Sequence, residues 1–477
     1  MRTNSLNPTR PVRAGGRYHL VTAVDEGLLR ARRFAHEYPI CALALIITLG
    51  ALDPTPAAAA NTYQVNTTGD PGPPGTLSLR QAITTANSSA GDTIEFAAAL
   101  VGSTITLASG QIDITTEMRI TGPGAGALTI SGHHASRIFN ILPTSAGPAV
   151  PVAISGLTLT QGNAGNSLFG GAIRSIHVAL GVYDSIIRDS TAETGGGIFA
   201  LGGSTVIIDS RLTGNLAVRD GGGLYAAGDD IFLKRTSVDG NTAAELGAGI
   251  RISYGNTIGI EESTISGNVV PQPSGYNIDT HGGGGIALSN VSASAYIVNS
   301  TIAQNYAYTN GGGVRLLDML TANRTEFISC TIAGNAAQFD ETGIGISSAA
   351  GTSAMFATIV ANNVSAGANV PDDLAGSFIA NSSLIKSPGS AFITGYYSLI
   401  GPDPQLGQLA DNGGPTFTML PATTSPVINA AFCQLQICSS FDQRGAPRAV
   451  GDSFADIGAV ERQYPEDLIF RSGFNPL

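Results

Sequence analysis

The carboxylates of this sequence are its first candidates for chemistry, and several occur as adjacent pairs: Asp229-Asp230, Glu261-Glu262 and Asp372-Asp373. Two carboxyl groups converging on one point can bind Ca²⁺, or act as acid and base on a glycosidic bond. Adjacent residues of a strand point to opposite faces, so none of these pairs forms a dyad from a strand. On a corner, solvation is the commoner role of a carboxylate. Asp184 and Asp209 could share a metal, but Arg235 and then Glu262 at equivalent positions make an ion ladder of alternating sign the better expectation. No catalytic constellation and no metal site is therefore expected. Glu193, Asp220 and Glu245 could line a Ca²⁺ groove, although corner solvation accounts for them without a ligand, so no cofactor is expected.

Aromatic and guanidinium groups make a stronger set. Each glycine cluster (GGAI, GGGI, GGGL, GAGI, GGGGI and GGGV) ends in an aliphatic residue, and the residues directly after these are Arg174, Phe199, Tyr225, Arg251, Ala287 and Arg315. If the aliphatic residues face inward, these face outward, and the spacing predicts an exposed column of two aromatics flanked by arginines. Aromatic faces beside hydrogen-bonding groups suit sugar rings. An insertion, VVPQPSGYNIDTH at 269–281, brings Tyr276, Asp279 and His281 toward the same face. Long loops on a rigid scaffold often carry function. The competing reading is that the column only stiffens a sheet and the insertion is drift in a tolerant loop. His281 by itself is more readily a surface or hydrogen-bonding residue than a metal ligand.

Whatever positions this column must repeat. Asn215, Asn241, Asn268, Asn305, Asn335 and Asn362 recur in step with the glycine clusters, at a period near 26 residues. Three positions before each Asn stands an aliphatic residue: Leu212, Val238, Ile265, Ile302, Ile332 and Ile359, with Ile187 earlier. Two positions before these stand small residues: Ser185, Ser210, Thr236, Ser263, Ser300, Cys330 and Ala357. Shared parity places both columns on one buried face, and the opposite parity (Arg211, Ser237, Thr264, Thr301, Thr331) on a solvent-facing one. Short strands in a repeat too brief for an α/β unit are satisfied by coiling each turn onto the last, an all-β right-handed parallel β-helix. The Asn would tolerate left-handed backbone and stack as an amide ladder, while Gly supplies angles that a Cβ forbids. Ser78 and Gln81 in LSLRQAITTAN form a capping box, and Leu79, Ile83 and Ala86 share one stripe, so a short helix is expected to cap the first rung.

Bulk properties agree. The chain has 61 Gly, no Trp and 12% charged residues, with net charge −11, which disfavours nucleic acid as a partner. Residues 1–60 carry arginines, then CALALIITLGAL at 41–52, then PTPAAAAN, the order of a signal peptide with an extended basic region. The apolar run is shorter than the ~20 residues that span a bilayer, so no integral membrane domain is expected in the mature chain. Secretion or display at the cell surface follows, and in that oxidising setting Cys433 and Cys438 could pair.

Several stretches resemble known families. The Gly-Gly-Ala-Ile and Asn corners resemble the repeats of polymorphic outer-membrane proteins and other pectate-lyase-like β-helices, and LSLRQAI at 77–83 resembles the CSLREA segment. DNGGPTFTMLPATTSPVINA (411–430), FDQRGAPR (441–448) and DIGAVE (456–461) resemble the choice-of-anchor Q domain of secreted bacterial surface proteins, with Asn429 and Phe441 departing from that pattern. DLIFRSGF at 467–474 looks like a C-terminal sorting tail. The implied organisation is a signal peptide (1–60), an N-terminal cap with irregular rungs (61–160), regular rungs (161–400), C-terminal rungs and cap (401–461) and a tail (462–477). The expected function is a non-catalytic adhesion or glycan-binding module whose partner is a polysaccharide or cell-surface glycan. A polysaccharide lyase or glycoside hydrolase acting on an acidic polysaccharide is the first alternative, a structural spacer the second.

Overall fold

The computed structural model describes residues 60–463, except 145–146, 166–167, 229, 273–280, 318–323, 339–343, 368–369, 434–437 and 449–453. The proposed leader, Tyr276, Asp279 and the 467–474 tail lie outside the described residues.

The chain coils into an all-β right-handed parallel β-helix of about 11 turns, with about 28 residues per turn. The period exceeds 26 because some turns hold more residues than their neighbours, as between the paired residues Val269 and Tyr306. A regular turn carries four short strands, as in Ile198–Leu201, Thr205–Ile208, Arg211–Thr213 and Leu216–Ala217. Each pairs in parallel with its equivalent on the next turn: Ile198 opposite Leu224, Thr205 opposite Ile231, Arg211 opposite Ser237 and Leu216 opposite Thr242. Stacking a strict register puts Ile, Leu and Val on like residues, and one continuous core runs from Val65 to Ile385.

The corners are built from two kinds of residue. In the glycine cluster, a Cβ at Gly196 would lie 2.5 Å from the Leu216 carbonyl oxygen and 2.6 Å from that of Gly222, so only Gly lets successive turns close up. At the other corner the asparagines form a buried ladder. The Nδ2 of Asn215 donates to Oδ1 of Asn241 at 3.0 Å, and the same bond recurs from Asn241 to Asn268, Asn268 to Asn305 and Asn305 to Asn335 at 2.9 Å. Each Nδ2 also donates to a carbonyl on the preceding turn, as Asn268 does to Val238 at 2.9 Å. Two expectations are corrected here. The left-handed backbone belongs to the residue before each ladder Asn, such as Gly240 (φ 62°) and Gln304 (φ 59°). The last member is Asn363, not Asn362: Asn335 donates to Asn363 at 2.9 Å, and Ile332 pairs with Val360, so Thr358 and Val360 take the inward places expected of Ala357 and Ile359. The ladder then ends on Asp373, whose Oδ1 accepts from Asn363 at 2.7 Å. A carboxylate terminates the run well because it only accepts.

Helix α1 (Leu79–Ala86) begins with the expected capping box between Ser78 and Gln81. Its buried stripe of Leu79, Ala82, Ile83 and Ala86 joins the core, and it packs on strands Thr62–Val65, Asp92–Phe96 and Ile112–Ile114.

The other end differs from expectation. Parallel stacking stops at strands Phe392–Thr394 and Leu399–Ile400. Among the described residues after 401 there is no further parallel turn; they form antiparallel pairs, Leu406–Ala410 with Thr418–Pro421 and Ala431–Phe432 with Phe454–Ala455, and fold back along the flank. There they cover the threonine column expected to face solvent: Thr264, Thr301 and Thr331 are buried. The Thr264 hydroxyl donates to the Phe417 carbonyl, that of Thr301 to Oε1 of Gln443 at 2.6 Å, and that of Thr331 accepts from the Ala459 N–H at 3.0 Å. The disulfide Cys433–Cys438 lies in this segment. Cys330, by contrast, is a buried filler in the inward column, and burial pushes its thiol up to about 12.

Candidate functional site

The register brings the expected column together. Asn140, Arg174, Phe199, Tyr225, Arg251, Ala287 and Arg315 are neighbours on successive turns. The rings of Phe199 and Tyr225 stack with centroids 5.1 Å apart and planes 6° apart. Phe169 extends the stack, 4.7 Å from Phe199 at 17°. This residue escaped the sequence reading because it stands before its glycines, at the corner, where its counterparts are Thr194 and Asp220.

Exposure corrects the expectation of an open stack. Phe199 is 5% exposed, Arg251 8% and Arg315 6%, and Ala287 is fully buried. Only the two ends of the stack reach solvent: Phe169 is 39% exposed and Tyr225 is half-buried, with exposed Leu168 next to Phe169 in sequence and exposed Tyr254 one turn on from Tyr225. Flanking side chains on the same outward column cover Phe199, since residues stacked at ~4.8 Å leave little room for solvent between them.

The arginines are structural in their contacts. Arg251 donates from Nη1 to its neighbour Ile252's carbonyl at 3.0 Å and from Nη2 to Oγ of Ser289, one turn on, at 2.8 Å. Arg315 lies across Gly282, where a Cβ would meet its Nη1 at 2.9 Å. Arg174 donates to Oδ1 of Asn140 at 2.8 Å, and Asn140 in turn donates to Asp113 at 2.8 Å. Arg137, also unforeseen, donates to the carbonyls of Phe169 at 2.7 Å and Gly170 at 2.8 Å, which fixes the backbone that carries Phe169. Burial, and then the Arg174 charge, lower its pKa to about 10.

Beside the stack runs the acidic column. Arg219 sits between Glu193 at 3.8 Å and Glu245 at 3.2 Å, so the positive charge that Ca²⁺ would bring to these carboxylates is supplied by the chain itself. Asp220 is half-buried, and its partial desolvation raises its pKa while the Arg251 charge opposes that shift. Burial likewise raises the pKa of the Tyr225 phenol. His281 is buried at the corner, where its carbonyl accepts from the Thr309 hydroxyl. The ion ladder forms as expected: Arg235 pairs with Asp209 at 2.6 Å and with Glu262 at 3.6 Å, and Lys234 with Glu261 at 3.0 Å. Among the described residues no three His, Cys, Asp or Glu side chains group as metal ligands, and no helix is long and apolar enough to cross a membrane.

The family described as "Right handed beta helix region" matches residues 179–395. This agrees with the right-handed β-helix formed by the stacked turns. No protein of curated function matches the sequence. Among solved structures, the chain is similar to pectate lyase Pel9A at 13% identity, over 85% of this chain and 97% of that one, with a TM-score of 0.47. It is also similar to a PL6 alginate lyase in complex with a trisaccharide (12% identity, 81% and 95% covered, TM-score 0.33). A third is tailspike protein 3 of bacteriophage CBA120 (12% identity, 83% and 69% covered, TM-score 0.32).

Proposed function

We propose that this chain is an exported surface or extracellular β-helix that binds a glycan and does not transform it. One observation carries the reading: the Phe169–Phe199–Tyr225 stack, rigidly held by the turns beneath it, ends in two rings that reach solvent. Sugar rings lie on such aromatic faces, and Arg174, Tyr254 and the Glu193–Arg219–Glu245 row supply hydrogen-bonding groups close by. Export rests on the order of basic, apolar and small residues in 1–60. Adhesion and display at a cell surface extend the resemblance of the 411–461 stretches to choice-of-anchor Q domains.

The test is retention of the full chain on a panel of immobilised acidic and neutral polysaccharides, with Ca²⁺ and with chelator. Tyr225→Ala is expected to lower retention about two- to twelvefold, from the ~0.5–1.5 kcal/mol of an aromatic contact. Release of new sugar ends would replace this reading with a lyase or hydrolase. That alternative draws on Asp220, an acid with raised pKa beside Arg251 and Tyr225. Neither retention nor release would leave a structural spacer.

A further inference from the structure

We propose that the C-terminal turn of the β-helix is a docking surface for a second copy of the same chain, giving an end-to-end dimer. The two ends of the solenoid are unlike. Helix α1 covers the first turn with Leu79, Ala82, Ile83 and Ala86, all buried. On the last turn every residue from Ala391 to Ile400 is half-buried or exposed, although Ala391 and Ile393 pack against the main core and Leu399 against the core under the C-terminal segment. Phe392 is 69% exposed, Tyr396 54% and Ile400 50%. One turn earlier the equivalents of Ile393, Leu399 and Ile400, namely Phe378, Leu384 and Ile385, are buried, while Ser377, the equivalent of Phe392, is a half-buried polar residue.

The backbone is open as well. Among the described strands, Phe392–Thr394 pairs only with Leu374–Asn381, and Leu399–Ile400 only with Leu384–Ile385, so each presents one unpaired edge. An apolar turn with free N–H and C=O groups is a template for another strand, and solenoids need their terminal turns covered.

Charge and symmetry select the occupant. Residues 387–402 (SPGSAFITGYYSLIGP) contain no charged side chain in a chain of net charge −11. The charges that flank them, Lys386 and Asp403, pair with each other at 2.6 Å. A two-fold contact sets each residue near its own copy, where like charges would repel, and this end has none to repel. Head-to-tail stacking would need an open first turn, and α1 closes it. The contact is therefore C-terminal turn to C-terminal turn and ends at two chains rather than growing into a filament.

Sedimentation equilibrium of the full chain from about 1 to 100 μM tests this, across the range in which modest interfaces form. The expected result is a mass rising to twice that of the chain, and its return to a single chain in the double variant Phe392→Asp/Ile400→Asp. A second measurement needs no substitution: amide exchange over 392–400 should slow as concentration rises, while exchange over Thr205–Ile208 stays constant. A single-chain mass at every concentration overturns the proposal. So does a dimer whose 392–400 amides are indifferent to concentration. A chain that pairs only once residues 464–477 are removed would assign this turn to the protein's own tail, and also overturns it.

Discussion

Arg448 donates from Nη2 to Oδ1 of Asn299 at 3.1 Å, across 149 residues of sequence. The same guanidinium reaches the Gly458 carbonyl at 2.8 Å and Glu461 at 3.3 Å, and its side chain is fully buried. Close by, Gln443 donates to the Ser263 carbonyl at 3.2 Å and to Oγ of Thr416 at 2.9 Å. Asp442 holds Arg444 at 2.8 Å. The motifs that resemble a choice-of-anchor Q domain thus clasp the C-terminal segment to the flank of the β-helix. The two residues that depart from that pattern contribute through their backbones: the Phe441 carbonyl accepts from Asn299 at 2.9 Å, and the Asn429 N–H donates to Asp456 at 2.8 Å.

Removing this clasp should be costly. Arg448→Ala leaves Glu461 and Asn299 buried without their cation, and breaking a buried pair from one side costs about 3–5 kcal/mol. Denaturant unfolding should show that loss, and limited proteolysis should cut the 411–463 segment first. Wild-type stability in this variant would refute the clasp.

The amide ladder yields a second expectation. Asn268→Ala removes donors to Val238 and Asn305 and the acceptor used by the N–H and Nδ2 of Asn241. Buried groups left unsatisfied cost about 1–3 kcal/mol each, so a loss of at least about 2 kcal/mol in urea unfolding is expected. Thr242→Ala, on the adjacent two-residue strand, provides the contrast, with a change near ~0.5 kcal/mol typical of positions outside such networks.

Acid should strengthen part of the fold. Burial pushes Asp373, at the end of the ladder, and Asp456, in the clasp, up to about 6 from an ordinary 3.8; nearby Glu461 adds to the shift at Asp456. Between these limits the folded chain holds protons that the unfolded chain has released. The stabilisation from both groups is therefore complete below the unfolded value and is lost as pH rises through about 6. Each group contributes a slope of up to about 1.4 kcal/mol per pH unit. Melting temperatures measured at intervals from pH 4 to 7 should fall less steeply in Asp373→Asn/Asp456→Asn than in the wild type. The slope is the readout, since the amides also disturb hydrogen bonds. Equal slopes would count against the shifts.

Arg251 and Tyr225 should separate stability from binding. Arg251→Ala loses the charge-assisted bond to Ser289 that ties its strand to the next turn, and with it the bond to the Ile252 carbonyl on its own strand, each worth about 1.5–3 kcal/mol, so it should unfold earlier whatever its effect on ligand. Tyr225→Ala removes one end of the stack and should reduce glycan retention with a smaller stability change. If Arg251→Ala were as stable as wild type, its guanidinium would be free to serve a ligand instead.

The β-helix, its inward columns and the capping helix were legible in the amino-acid sequence, because each turn repeats the same local choices. A small residue, an aliphatic residue two positions on, an Asn three beyond that and then a glycine cluster state the pattern many times over. Where one turn differs the pattern misleads. The adjacent Asn362 and Asn363 allow two alignments, and only the hydrogen bond from Asn335 selects Asn363.

Periodicity determines which side of a strand faces the core, because alternation is a property of the backbone. It does not determine what happens outside that core. Thr264, Thr301 and Thr331 read as solvent-facing and are buried by residues more than a hundred positions later. Phe199, Arg251 and Arg315 likewise read as exposed, yet neighbouring turns and corners close over them. Burial on the outer faces, the aromatic partner Phe169 and the open last turn depend on contacts between distant segments. The sequence by itself thus determined the coil and its interior, and tertiary packing alone decided which outward residues can meet a ligand or a second chain.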